Sequence, residues 1–180
     1  MRPTSLLDTI AATPWASGLL ASVFDFDVTD RGHKPIEALQ LASGDFLEAI
    51  AREAAGGTYF LCGDGGDERP VLYTNSEGGA ALVGTSLSSA LTTIIELPYW
   101  QDCLMRSDGG DLEKARAAIP ALEGEYLADI PDLSLRRARL LDGLGLAPGD
   151  GVVSLLRAAA DTARAFVVVT EDGYSYRSLL

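Results

Sequence analysis

The chain has 180 residues, 47% of them hydrophobic, enough for one sizeable core, and the length argues for a single domain over 1-180 rather than two. Its 26 acidic residues outnumber 14 basic ones, giving a formal charge of −12 with no clustered Lys and Arg, which excludes nucleic acid and anionic membrane surfaces as partners. No apolar run approaches the ~20 residues that span a bilayer. Asp8 interrupts the stretch where a signal peptide would be apolar, and two cysteines are too few to staple a secreted scaffold, so a reducing cytoplasm is the expected location.

In chain order, Ser5 is placed to cap a short helix through Leu6, Leu7, Ile10 and Ala11, which Pro14 ends or interrupts. Trp15, Leu19 and Leu20 suggest a further helical turn, and the alternation from Val23 to Val28 then predicts a strand. TDRGHKP, residues 29–35, is breaker-rich and reads as a surface loop, while Ile36 to Leu41 fits a short helix or an extended arm. Phe46, Leu47, Ile50, Ala51 and Ala54 share one helical face, so a helix is predicted from Asp45 to its stop at Gly56.

The stretch from Gly56 to Leu97 organises the rest. Thr58 to Cys62 and Val71 to Thr74 are β-branched or aromatic and too short for helices, and the loop GDGGDERP joins them as a long hairpin. Ser76-Glu77-Gly78-Gly79 turns the chain into a third strand at Ala81-Leu82-Val83. Ser86 then caps a helix with Leu87, Leu91, Ile94 and Ile95 on its inner face. Residues 45-107 are thus expected to form one block of helix, meander and helix.

Residues 108-180 read as a helical second half. Asp108 is the expected cap of a helix from Leu112 to Ile119 that Pro120 restarts or bends, Asp132 or Ser134 that of the next, and Asp150 that of a third. Arg136, Arg137 and Arg139 alternate with leucines as the wet side of a helix. Phe166 to Thr170 reads as a strand buried on both faces, with Tyr174-Ser175-Tyr176 pairing back after the turn Glu171-Asp172-Gly173. The expected fold class is α+β: a small antiparallel or mixed sheet, made of the central meander plus a C-terminal strand, packed with helices from both halves.

Signs of catalytic or ligand chemistry are sparse. His33 is the sole histidine and lies in a charged loop, and Cys62 and Cys103 sit in apolar stretches where thiols are buried. Asp64, Asp67 and Glu68 crowd one glycine-rich loop, but GDGGDERP lacks the alternate ligand positions of a calcium loop and the Lys of a phosphate loop, so neither metal nor cofactor is expected. Asp25 with Asp27, or Glu77 with Asp102, would supply carboxylate pairs of a kind that an acidic chain produces by chance. Tyr99 and Trp100 follow the helix-ending Pro98, where two rings more often plug a core than anchor an interface.

The segments Gly56-Gly57-Thr58-Tyr59, Val71-Leu72-Tyr73, Ser76-Glu77-Gly78 and Ser86-Leu87 with Leu91 resemble, in order and spacing, the SMI1/KNR4-like (SUKH) superfamily in its actinobacterial form. The L-P-x-x-Y-x-x-F-L-type segment and N-G turn of more familiar members are absent. The resemblance covers the middle third of the chain. It implies an α+β binding module without catalytic residues, most often an immunity protein that covers and blocks a toxin domain such as a basic nuclease. On this reading an acidic inhibitor is steered to a basic protein partner, with Asp64, Asp67, Glu68, Glu77, Tyr99, Trp100 and Asp102 as the expected contact. The alternatives are a small-ligand protein or enzyme with a pocket between sheet and C-terminal helices, and a structural adaptor or regulator.

Overall fold

The structure, a computed structural model, describes residues 5–29 and 37–180. The expected loop over 29–35, apart from Thr29, and His33 with it, lie outside the described residues. Ser5 accepts a hydrogen bond from the Asp8 amide and starts α1 (Leu6–Ala11) as expected. Pro14 begins α2 (Pro14–Phe24) rather than only ending its predecessor, because a first-turn N–H has no intrahelical partner to lose. The strand expected over 23–28 is corrected. Val23 and Phe24 complete the buried stripe that Ala16 and Leu20 begin on α2, and Asp25, left-handed at φ 50°, ends the helix. Beyond it only Asp27 pairs, in an antiparallel bridge to Arg52.

The described part of 36–41 is extended, as β1 (Leu39–Leu41). The helix expected from Asp45 to Gly56 is also corrected: it is β2 (Leu47–Arg52), antiparallel to β3 (Thr58–Cys62), with Leu47 opposite Cys62 and Arg52 opposite Thr58. The register shifts between Ala49 and Ala51, so Ile50 is an extra residue, and both Ile50 and Ala51 reach the main core. Two adjacent buried positions within an otherwise alternating strand mimic the spacing of a helix face. Gly56, at φ 99°, belongs to the tight turn that closes this hairpin.

β3, β4 (Val71–Thr74) and β5 (Gly79–Gly84) form the expected antiparallel meander, and all of their residues are buried. α3 (Leu87–Glu96) follows, its start fixed by reciprocal hydrogen bonds between Ser86 and Ser89, and it buries Leu87, Leu91, Ile94 and Ile95 as predicted. Gly84 has a packing reason for lacking a side chain, since a Cβ there would stand 2.5 Å from the Ala90 amide nitrogen of α3.

The helices α4 (Trp100–Arg106), α5 (Leu112–Asp129), α6 (Leu133–Gly143), α7 (Gly151–Ala160) and α8 (Thr162–Ala165) make up the second half. Asp150 caps α7 as expected. The cap of α5 is Asp111, which accepts from the Lys114 amide at 3.0 Å, while Asp108 pairs with the Lys114 ammonium instead. Pro120 neither ends nor restarts α5. It lies on the exposed side, where a missing helical hydrogen bond costs least because solvent can take its place. Arg137 of α6 joins three elements: its guanidinium meets Glu123 of α5 at 2.5 and 2.8 Å and donates to the Ile95 carbonyl of α3 at 3.1 Å, while the Tyr99 hydroxyl donates to the same Glu123 at 2.7 Å.

The strand expected over 166–170 is shorter and less covered than predicted. β6 (Val168–Thr170) pairs only with β1, in a separate two-stranded sheet, and Val169 and Thr170 are half-exposed. Ser175 does pair back on Val169, as a single bridge. The C-terminal strand of the main sheet is instead β7 (Arg177–Ser178), parallel to β5, which gives the order β2-β3-β4-β5-β7. The fold is α+β. One face of the main sheet, with Tyr59, Leu61, Val71, Tyr73, Ala81 and Val83, packs on the helices. The other, with Cys62, Leu72, Ala80 and Leu82, is covered by Leu41, Val168 and their neighbours.

Two glycine-to-alanine substitutions should move stability in opposite directions. Gly84→Ala forces β5 from α3 and is expected to cost about 1–3 kcal/mol. Gly124→Ala, with nothing within 4 Å inside α5, is expected to gain about 1 kcal/mol. Urea unfolding of both variants checks the pair; equal effects would contradict the close approach at Gly84.

Candidate functional site

The residues expected to form one contact surface are divided between the ends and the interior of the main sheet. The loop of residues 63–70 leaves one end, and its acids are largely occupied. Asp67 accepts from the Leu7 amide in the first turn of α1 at 3.0 Å, and Glu68 accepts from the Ser88 hydroxyl at 2.6 Å. Arg69, buried, donates to the Gly66 carbonyl at 2.6 Å, to the Gly63 carbonyl and to Glu48, so the loop closes around a guanidinium. Asp64 alone of the three acids projects without a described partner. Tyr99 and Trp100 are 3% and 2% exposed, which corrects their assignment to a contact surface. Trp100 meets Tyr73 edge-on at 5.0 Å, and Tyr73 and Phe26 flank Tyr59 at 5.1 and 5.0 Å, an aromatic cluster that fills the core. Asp102 is half-buried on α4, away from both loops in sequence and element.

Glu77 lies at the other end of the sheet, because β3, β4 and β5 alternate in direction. Its turn is pinned by Asn75, whose side-chain oxygen accepts from the amides of Glu77 at 3.0 Å and Gly79 at 2.8 Å. Facing it is the hairpin that follows β6. The Gly173 amide donates to Thr170 O, the Thr170 amide to Tyr174 O, and the Tyr174 amide to the Thr170 hydroxyl at 3.1 Å. Between the two turns runs an open groove of about 520 Å³, lined by Glu37, Glu77, Glu171 and Asp172, by Tyr174 and Tyr176, and by Arg177. Tyr174 is 74% exposed, whereas Tyr176 is half-buried and donates to Glu37 at 3.4 Å; burial, then Glu37, pushes its hydroxyl pKa up. Glu37, Glu171, Asp172 and the two tyrosines are the groove residues that sequence reasoning missed. The turn Glu171-Asp172-Gly173 and the Tyr-x-Tyr pattern were visible, but nothing in the sequence says that they face Glu77.

A second hollow of about 360 Å³ lies between α3 and the loop before α7, lined by hydroxyls of Ser86, Ser88, Ser89, Thr92 and Ser154. Several of these are committed within the fold: Ser86 and Ser89 to the helix cap, Ser88 to Glu68 and Thr92 to the Ala147 carbonyl. Glu96, at its rim, accepts from the Gly149 amide at 2.6 Å and abuts Gly151, where a Cβ would stand 2.7 Å from its Oε2. Burial foremost raises the Glu96 pKa, against the opposing Gly149 hydrogen bond. The thiols are sealed: burial pushes Cys62 up to about 12 and Cys103 to about 11. Of the carboxylate pair at 25 and 27, Asp25 ends α2 and Asp27 accepts from the Thr29 amide at 2.8 Å. No group of three or more His, Cys, Asp or Glu among the described residues is arranged to hold a metal ion. No helix of the described residues is long and apolar enough to cross a membrane.

No family model matches the chain, and no curated protein or solved structure compared with it is a match.

Two measurements check this chemistry. A thiol-disulfide reagent at about pH 8 should leave both cysteines unmodified in the native protein and titrate both after denaturation, because the thiolate is the reacting species; rapid native labelling would contradict their burial. A raised carboxyl pKa favours the folded state at low pH and loses that contribution as pH rises through the folded value. Stability of Glu96→Gln should therefore lose less than that of the parent between about pH 4 and 7, as read from denaturant midpoints; parallel profiles would contradict the desolvation of Glu96.

Proposed function

We propose that the chain is a protein-binding module of the SUKH type that engages a cationic protein, in the manner of immunity proteins that cover a toxin domain such as a basic nuclease. The observation that carries the reading is where the SUKH-like segments lie. Gly56 to Tyr59, Val71 to Tyr73, Ser76 to Gly78 and Ser86-Leu87 with Leu91 follow one another through the start of β3, β4, the Asn75 turn and, after β5, α3, with the three strands hydrogen-bonded in sequence. The turn carrying Ser76-Glu77-Gly78 is also the one that opens on the acid-lined groove.

The charge supports the same reading. With a formal charge of −12, the surface attracts a basic partner over roughly a Debye length, about 8–10 Å at physiological salt. Such a partner is held by complementary patches, and binding neutralises it by covering its own basic face rather than by altering it chemically.

The test is association with purified basic nuclease domains of the toxin type, followed by surface plasmon resonance. A complex is expected whose association rate falls about tenfold or more between roughly 20 and 500 mM salt. An absent complex, or an association rate indifferent to salt, would overturn the reading.

A further inference from the structure

We infer that the groove between the Glu77 turn and the 170–176 hairpin is the surface that receives the partner, and that its occupant is an extended protein segment bearing arginine or lysine. This inference rests on the protein-binding reading above and assigns its site.

Charge complementarity gives the first argument. Four carboxylates, Glu37, Glu77, Glu171 and Asp172, come from three separate parts of the chain to one groove, against one cation among the described lining residues. That cation, Arg177, stands 3.9 Å from Glu77, with both side chains largely exposed, and such a contact neutralises little. Asp67 and Glu68 of the 63–70 loop contrast with these, since they accept from the Leu7 amide and the Ser88 hydroxyl.

The backbone gives the second, independent argument, and it specifies an extended occupant. Ser175 opposes Val169 as a non-hydrogen-bonded pair, because the flanking bonds run from Thr170 N to Tyr174 O and from Tyr176 N to Val168 O. In such a pair the N–H and C=O of Ser175 point away from β6. The next amide on that side, Arg177 N, donates to Gly78 O, which places the Ser175 edge toward the groove. Among the described residues nothing pairs with it. An inserted strand satisfies these two groups by edge pairing, the mode in which main-chain bonds supply affinity and flanking side chains supply selectivity. Tyr174, 74% exposed on a backbone fixed by Thr170, then presents a ring face to a guanidinium or ammonium group.

The experiment uses the full chain and two probes: the cationic toxin domain, and a synthetic peptide alternating arginine with valine. The groove variant is Glu171→Lys with Asp172→Lys, and its charge-matched control is Glu125→Lys with Asp142→Lys, all at exposed positions. Thermal melts verify that both remain folded. By calorimetry the groove variant should weaken both probes about tenfold or more, Tyr174→Ala a few-fold, and the control less than about twofold. Equal weakening by groove variant and control would overturn the groove as the site. So would undiminished binding of the toxin domain to the groove variant, while leaving the protein-binding reading intact. Failure of the unmodified chain to bind either probe would overturn both.

Discussion

Three consecutive strands without an exposed residue impose the constraint on which the remaining architecture depends. A sheet apolar on both faces needs cover on both. The helices supply one layer, with α3 fitted closely against β5 because Gly84 lets its backbone approach. The other layer is improvised from distant parts of the chain, Leu39 and Leu41 from before the meander and Phe166, Val168 and Tyr176 from after it. The C-terminal residues must therefore return across the whole fold, and the 174–178 segment serves both sheets in doing so, pairing first with β6 and then with β5. A sheet so enclosed offers no face to a partner. Only its ends are left uncovered.

The two ends are built on different principles. At one, a buried guanidinium organises the 63–70 loop, and a charged donor in such a site contributes about 1.5–3 kcal/mol per hydrogen bond while cancelling local negative charge. At the other, the neutral amide of Asn75 performs the equivalent task for the Glu77 turn and cancels none. The unfinished edge of β5 is treated similarly: the Leu82 amide donates to the buried Thr162 hydroxyl at 2.9 Å, so that edge is closed by a side chain rather than by another strand. The acids of the two ends thus differ in use: at one, Asp67 and Glu68 are engaged within the fold, and at the other Glu77 faces a groove lined by further acids.

The meander was legible in the sequence because each of its signals is local: β-branched runs of four or five residues, glycine turns, and a serine three residues before a second serine at the start of α3. The errors fell where two periodicities overlap. In β2 a bulge buries both Ile50 and Ala51 and imitates a helical stripe, and Phe24, Phe26 and Val28 alternate with Asp25 and Asp27 as a strand would, although Phe24 is the last residue of α2. Pro120 sits inside α5 without dividing it, a placement that no local rule foresees because it says nothing about which side of a long helix faces water. The candidate site was the least legible part. Glu77 was singled out, but its companions lie nearly a hundred residues away, and Asp67 and Glu68 look as free in sequence as Glu171 and Asp172 do. Only the fold distinguishes an acid that caps a helix from one that faces solvent.

That distinction also explains how the fold tolerates the groove. Like charges gathered in one place repel, and the repulsion is carried by the folded state alone, because the unfolded chain disperses the same residues. Solvent screening keeps the cost small at an open surface, whereas the half-buried acid Glu123 is paired with the guanidinium of Arg137, which holds its carboxyl below the usual range. A cationic segment in the groove removes this repulsion while adding its own attraction. A ligand that binds only the folded form stabilises it, so with the proposed occupant the groove's acidity, a liability in the free protein, would become part of the binding free energy.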